Sequence, residues 1–207
     1  MIEYHEEHGL IRGGDRVGYR TLLEVAETLV GERVLVRAYR PEDAQALFEA
    51  LNESREHLYP WFPFFHQSHY ELDETRDLLV RWQARWLLRE EFFLGIFLKA
   101  SGQFLGSCGF VIHDWQSRSC EIGYWVRQSA QGQGYVTEAV GLITEYLLTH
   151  LEAQRVEIRC DARNHRSAAV ARRLGFQEEG HLRNVAMAAD GTLETQVVFS
   201  RIPSDRG

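Results

Sequence analysis

The sequence predicts a mixed α/β fold, α+β in the way its elements are distributed, built on a mostly antiparallel sheet. Three observations predict it. Strand-like runs over 92–100, 103–113 and 119–126 follow one another across the short polar links Ser101-Gly102 and Gln116-Ser117-Arg118, the pattern of a hairpin meander. The third run passes through a glycine-bearing loop, 127–134, directly into a helical pattern over 135–151. A strand, a short helix and a last strand pair around Asp190-Gly191, a tight-turn signal, then complete the chain.

Taken in order, residues 1–30 form an extension, acidic and histidine-containing at its start and partly helical through Leu22, Leu23, Val25, Ala26 and Leu29. Gly31 ends that pattern and opens a main domain over 31–203, followed by a tail at 204–207. Residues 33–39 read as a strand, because Val34, Val36 and Ala38 alternate against Arg33, Leu35 and Arg37. Pro41-Glu42-Asp43 places a proline and two acids where a helix start favours them, and that helix runs to about His57. The loop over 58–70 carries the aromatic run Tyr59-Pro60-Trp61-Phe62-Pro63-Phe64-Phe65, whose prolines forbid a long helix. Residues 73–89 form the next helix, with Leu78, Leu79, Trp82, Trp86 and Leu87 on or near one face. Beyond the meander, Ala139, Val140, Ile143, Tyr146, Leu147 and Leu151 stand at core spacing for the helix over 135–151. Val156 and Ile158 alternate with Glu157 and Arg159 in a strand over 155–160. A short helix over 164–174 stops at Gly175, where a left-handed residue is needed, and 176–188 and 192–200 are the final strands.

Composition narrows the function classes. With 207 residues the chain is one domain with an appendage, and 44% apolar against 26% charged residues is the balance of a globular chain. The net charge of −7 works against steering onto a nucleic-acid backbone, so no nucleic-acid partner is expected. The longest strongly apolar stretch, 92–98, is far short of the roughly 20 residues that span a bilayer, and the acidic start lacks the character of a secretory signal. No membrane partner is expected. Three cysteines, Cys108, Cys120 and Cys160, are an odd number without a close metal-type pair, which fits buried thiols in a reducing cytoplasm and no bound metal. Cys108 and Cys120 could face each other on neighbouring strands.

The segment richest in chemistry is Gln131-Gly132-Gln133-Gly134-Tyr135-Val136-Thr137. A strand that runs into a glycine loop and then a helix leaves several backbone amides unpaired around one volume, and such a volume suits phosphate. A Walker loop is excluded because it requires Gly-Lys-Ser/Thr, and no lysine is present. A dinucleotide fingerprint would need a third glycine at 137, which is threonine, and a parallel sheet in place of a meander. A bare connecting turn stays open on the loop alone.

The run 131–136 resembles the Gln/Arg-x-x-Gly-x-Gly/Ala signature of the GCN5-related N-acetyltransferases (GNAT), and Asn164-His-Arg-Ser167 followed by a helix ending in Leu174-Gly175-Phe176 resembles that family's second segment. The wording Glu121-Ile-Gly-Tyr-Trp-Val126, the Gly134-Tyr-x-Thr-Glu-Ala139 run and the late Glu179-Gly180-x-Leu182-Arg183 are similar to the ribosomal-protein N-terminal acetyltransferases of the RimJ/RimL type. The resemblance implies the GNAT fold: a seven-stranded, mostly antiparallel sheet, about four flanking helices, and a splay between central strands. It implies acetyl-CoA as cosubstrate, with Gln131, Gly132, Gln133, Gly134, Tyr135, Val136 and Thr137 gripping the diphosphate and Trp125, Val126, Asn164, Ser167, Arg172 and Arg173 completing the carrier site. Val136 stands where many members have glycine or alanine, which sets the loop slightly farther from the phosphate.

The same resemblance implies Glu121 as general base through a water, Ser167 as proton donor to the thiolate, and the Val126 amide as oxyanion donor. For each there is a plain structural alternative: a strand-end acid, a first-turn helix residue, and for Asn164 a helix cap. The resemblance implies Trp61, Phe62 and Tyr124 as acceptor-wall residues, a plain hydrophobic plug being the alternative for the aromatic loop, with Tyr124 and Trp125 expected to divide into one core residue and one pocket wall. The acceptor is expected to be the N-terminal α-amine of a protein or peptide, because an α-amine is about a tenth neutral at pH 7, whereas lysine requires roughly 3.5 kcal/mol more to deprotonate. A small-molecule amine acetyltransferase is the alternative, and a non-catalytic acyl-CoA module a more distant one. A homodimer is a family-level expectation.

Overall fold

The computed structural model describes residues 10–13, 16–62 and 71–205. Two short strands, β1 (Leu10–Gly13) and β2 (Arg16–Tyr19), pair only with each other. The main sheet begins with β3 (Thr28–Val30) and β4 (Val34–Ala38), and a turn of 3-10 helix at Pro41–Asp43 then leads into α1 (Ala44–Leu58). Next come α2 (Leu72–Leu87) and the meander β5 (Glu91–Leu98), β6 (Phe104–Asp114) and β7 (Ser119–Val126). The glycine loop opens α3 (Tyr135–Thr149), followed by β8 (Arg155–Asp161), α4 (His165–Arg173), β9 (Gln177–Met187) and β10 (Leu193–Arg201).

Eight strands hydrogen-bond in the order β3-β4-β5-β6-β7-β8-β10-β9. The sequence predicts seven, and the additional strand is β3, inside the stretch read as helical. Residues 22–29 do not form that helix: a 3-10 turn occupies Arg20–Leu22, and Thr28–Val30 pairs antiparallel with Leu35–Arg37. The apolar spacing that suggests a helix instead serves an extended segment packed at its edge, where Val25 is buried and Leu23, Ala26 and Leu29 rest against the core. Tertiary pairing overrides the weak local signal. The rest of the predicted order is observed. Of the aromatic loop, Pro63, Phe64 and Phe65 lie outside the described residues, as do residues 1–9 of the extension and 206–207 of the tail.

Helices cover both faces of the sheet. On one, α3 lays Ala139, Val140, Ile143 and Leu147, all below 1% exposure, against Val156, Ile158 and Phe199. On the other, Leu47, Leu51 and Leu58 of α1 and Leu79 of α2 pack with Tyr39, Phe97 and Phe104. Burial of each such side chain contributes about 1.5–3 kcal/mol. Cys108 and Cys120 are buried and free. They do not face each other, because the β6/β7 register sets Cys108 opposite Tyr124 and Cys120 opposite Ile112.

One junction in the sheet differs from the others. All pairs are antiparallel except β7 with β8, and that parallel ladder holds only at Ser119↔Arg155, Cys120↔Val156 and Glu121↔Glu157. Beyond Glu121 the two strands continue without pairing, and the predicted splay lies there.

Candidate active site

The glycine loop reaches the open end of this splay. Gly132 and Gly134 adopt φ of +72° and +80°, a left-handed backbone that favours glycine, and Gly134 is the N-cap of α3. The amides of residues 132–137 find no acceptor among the described residues, while the carbonyl of Gly134 already accepts from Glu138. A run of free amides at a helix start, with the helix dipole behind it, is an anion cradle. It therefore fits a diphosphate. Glu138 does not intrude on the cradle: its carboxylate takes the amides of Arg33 and Val34 and the Arg33 side chain at 2.9 Å. Arg33 also donates to the Gln133 carbonyl and stacks over Tyr135, clamping the loop to the start of β4. This clamp spans about a hundred residues of sequence and has no local signal. A second brace comes from α1: Glu53 accepts from Arg127 and from the Ser129 amide, and Ser54 accepts from the Gln128 amide.

Val126 ends β7 beside the splay. Its partner in β6 is Gly106, and the bond from the Arg127 amide to the Leu105 carbonyl makes Val126 and Gly106 a non-hydrogen-bonded pair. The Val126 amide consequently points away from β6, toward the gap. A Cβ on Gly106 would stand 2.3 Å from the Trp125 carbonyl, so only glycine allows this approach.

Glu121 occupies the last paired position before the gap, bonded to His113 at 3.0 Å and 3.6 Å from Arg159. Across the gap, Asn164 caps α4 by accepting the Ser167 amide at 3.1 Å, so its side-chain oxygen is engaged in the structural role. The Ser167 hydroxyl donates to the Tyr124 hydroxyl, and Tyr124 donates to the Ser167 carbonyl, both at 3.0 Å. Burial raises the Tyr124 phenol well above its ordinary value, opposed by the bond to Ser167, so the phenol keeps its proton at neutral pH. Tyr124, which the sequence places in the acceptor wall, is among the residues that line the cavity between the sheet and the helices α1 and α2, and its hydroxyl meets Ser167, 43 residues away.

Among the arginines, Arg166 bonds the side chain of Gln131. Arg172 is paired with Glu178 and lies over the Phe199 ring. Arg173 is exposed in the last turn of α4. Among the described residues, no cluster of three or more His, Cys, Asp or Glu could hold a metal ion.

Glu121, Gly123 and Trp125 face a cavity of about 270 Å³ between the sheet and the two helices α1 and α2. Phe62 lines it and Trp61 does not; both follow α1 in a turn whose amides bond the Leu58 carbonyl. Trp125 lines the cavity as Tyr124 does, with its ring edge-on to Phe104.

Comparison with known proteins gives a consistent result. The family model described as Acetyltransferase (GNAT) domain matches residues 33–177. The YdaF protein of Bacillus subtilis (strain 168) is 30% identical over 159 residues, covering 75% of this chain and 84% of its own length. The [ribosomal protein uS5]-alanine N-acetyltransferase of Escherichia coli (strain K12) is 27% identical over 197 residues, 91% of this chain and 96% of that enzyme. In fold, Mycobacterium smegmatis RimJ, solved in complex with CoA-disulfide, superposes with a TM-score of 0.77 at 24% identity, covering 86% of this chain and 88% of that one.

Proposed function

The chain belongs to the GNAT acetyltransferase family and is an acetyl-CoA-dependent N-acetyltransferase, and from that premise we propose that its acceptor is the N-terminal α-amine of a protein. The observation that carries the reading is the run of six amides, 132–137, that find no acceptor among the described residues, at the mouth of the gap where β7 and β8 part. The uS5-alanine enzyme that matches nearly end to end acts, by its name, on such an amine in a ribosomal protein.

In this reading the 132–137 amides and the Thr137 hydroxyl hold the diphosphate, and of the two α4 arginines Arg173 is the choice for the adenosine phosphates because Arg172 already pairs with Glu178. Acetyl-CoA, when bound, supplies an activated acyl thioester. The Val126 amide polarises the acyl oxygen in the gap. Glu121 takes the proton of the incoming ammonium through a water, with His113 and Arg159 fixing its carboxylate. Ser167 Oγ holds the proton that the sulfur needs on leaving, and Tyr124 orients that hydroxyl.

The test joins binding to product mapping. Calorimetry with acetyl-CoA, a free-thiol assay with peptides, and mass spectrometry of the product are expected to show binding, thiol release and the acetyl group on the first residue. Acetylation confined to lysine side chains would overturn the acceptor; absence of affinity for acetyl-CoA would overturn the site.

A further inference from the structure

An amine that reaches Glu121 brings its own side chain with it, and the cavity beside Glu121 has a definite shape. Its floor is the sheet row Phe93–Gly109–Gly123, where two adjacent glycines leave the strands bare. Leu47 and Leu51 of α1 and Leu78 and Trp82 of α2 form the opposite wall. The neighbouring row Glu91–Val111–Glu121 places two carboxylates at one rim, two strand spacings or about 10 Å apart. Glu91 is held by Arg85, and Glu121 by His113 and Arg159. The cavity is thus apolar in its body and acidic at one edge, complementary to an apolar side chain attached to an amine.

The two floor glycines have different origins. A Cβ on Gly109 would lie 2.5 Å from the Phe92 carbonyl oxygen, so strand packing requires glycine there. A Cβ on Gly123 would meet no heavy atom of the described residues within 4 Å. Glycine in a strand interior is unfavourable and often marks a place where a ligand approaches closely. Nothing in the packing calls for it at 123, yet a side chain at that position would enter the cavity.

We propose that Gly123 is a specificity-determining residue that keeps open a pocket for a large apolar first side chain, Met, Leu or Phe, of the acceptor polypeptide. This rests on acetyl transfer to an α-amine beside Glu121. At about 270 Å³ the cavity has room for a large side chain. Alanine or serine would leave it unfilled, and a charged side chain would put its ion against leucines.

The experiment uses the full chain, acetyl-CoA and synthetic peptides that differ only in the first residue: Phe, Leu, Met, Ala, Ser or Asp. The large apolar set is expected to exceed Ala and Ser by tenfold or more in kcat/KM, since each methylene in an apolar pocket is worth about 10–200-fold. Gly123→Val is expected to collapse that ratio at least tenfold, and Gly123→Ala to lower it partway, with unchanged circular dichroism verifying the fold. Equal rates for all peptides, or variants that slow every peptide alike, would overturn the proposal. Calorimetry of the same peptides with the CoA-bound protein reads the pocket without turnover. A preference for Phe that Gly123→Val abolishes supports the pocket even if no peptide is acetylated, in which case the acetyl-transfer reading fails and the pocket stands; binding without preference overturns the pocket itself.

Discussion

At the scale of single residues, Glu121 and Ser167 stand on opposite sides of the gap between β7 and β8, each held by a neighbour that the sequence does not announce. Glu121→Gln keeps the shape and removes the proposed base, so kcat is expected to fall about 10²–10³-fold, within the range of general-base catalysis, while calorimetric affinity for acetyl-CoA stays within threefold. For the hydroxyl pair, Ser167→Ala and Tyr124→Phe are expected to be non-additive in kcat, because each removes the same mutual bond at 3.0 Å. Rates of the double variant equal to the product of the single effects would show that the two act separately. Glu121 could be nominated from sequence because motif and strand end coincide. Tyr124 could not be given its partner, since alternation along a strand tells only that residues 124 and 125 face opposite ways and not which face meets α4. Asn164 is the reverse case: both of its readings were visible, and the structure uses the cap.

At the scale of elements, the anion loop is shaped by glycine and held by braces from two distant segments. Gly134→Ala forces a Cβ into the left-handed region at φ +80°, a penalty of about 1–2 kcal/mol, so KM for acetyl-CoA is expected to rise several-fold. The brace from α1 makes a pH prediction. The Arg127 guanidinium beside Glu53, with the Ser129 amide, lowers its carboxyl from the ordinary carboxylate range to about 2. Between about pH 4.5 and 2 the unfolded chain binds the extra proton, so the stabilisation is complete above that window and is lost as pH falls through it. The gap in melting temperature between the parent and Glu53→Gln is accordingly expected to be widest near neutrality, to narrow below about pH 4.5 and to close toward pH 2. The loop and its helix were legible from glycine spacing and the apolar pattern of 139–151. The braces were not, because Arg33 and Glu53 look like ordinary surface charges until the sheet carries them to the loop. β3 was misread for a related reason: three residues with an edge to pair against outweigh a short apolar periodicity.

At the scale of the molecule, the strand and helix order from 33 to 201 was readable because the meander, the glycine loop and the closing hairpin each carry strong local signals. The strand count and the cavity were not, since both depend on which faces meet. A carrier seated in the gap stabilises the folded state by mass action, about 2.7 kcal/mol at a hundredfold excess over Kd. For a chain of this size that corresponds to a rise in melting temperature of roughly 5–11 °C, measurable by thermal shift with CoA and absent with adenine alone. The three-pair ladder between β7 and β8 has one more consequence. Two slabs of structure meet at a narrow neck, and a reactant seated in the gap as proposed would supply the missing cross-links along the remainder of the seam. The enzyme would thus borrow rigidity from what it consumes, and amide exchange along 122–126 and 158–161 is expected to be fastest between turnovers and to slow whenever the seam is filled.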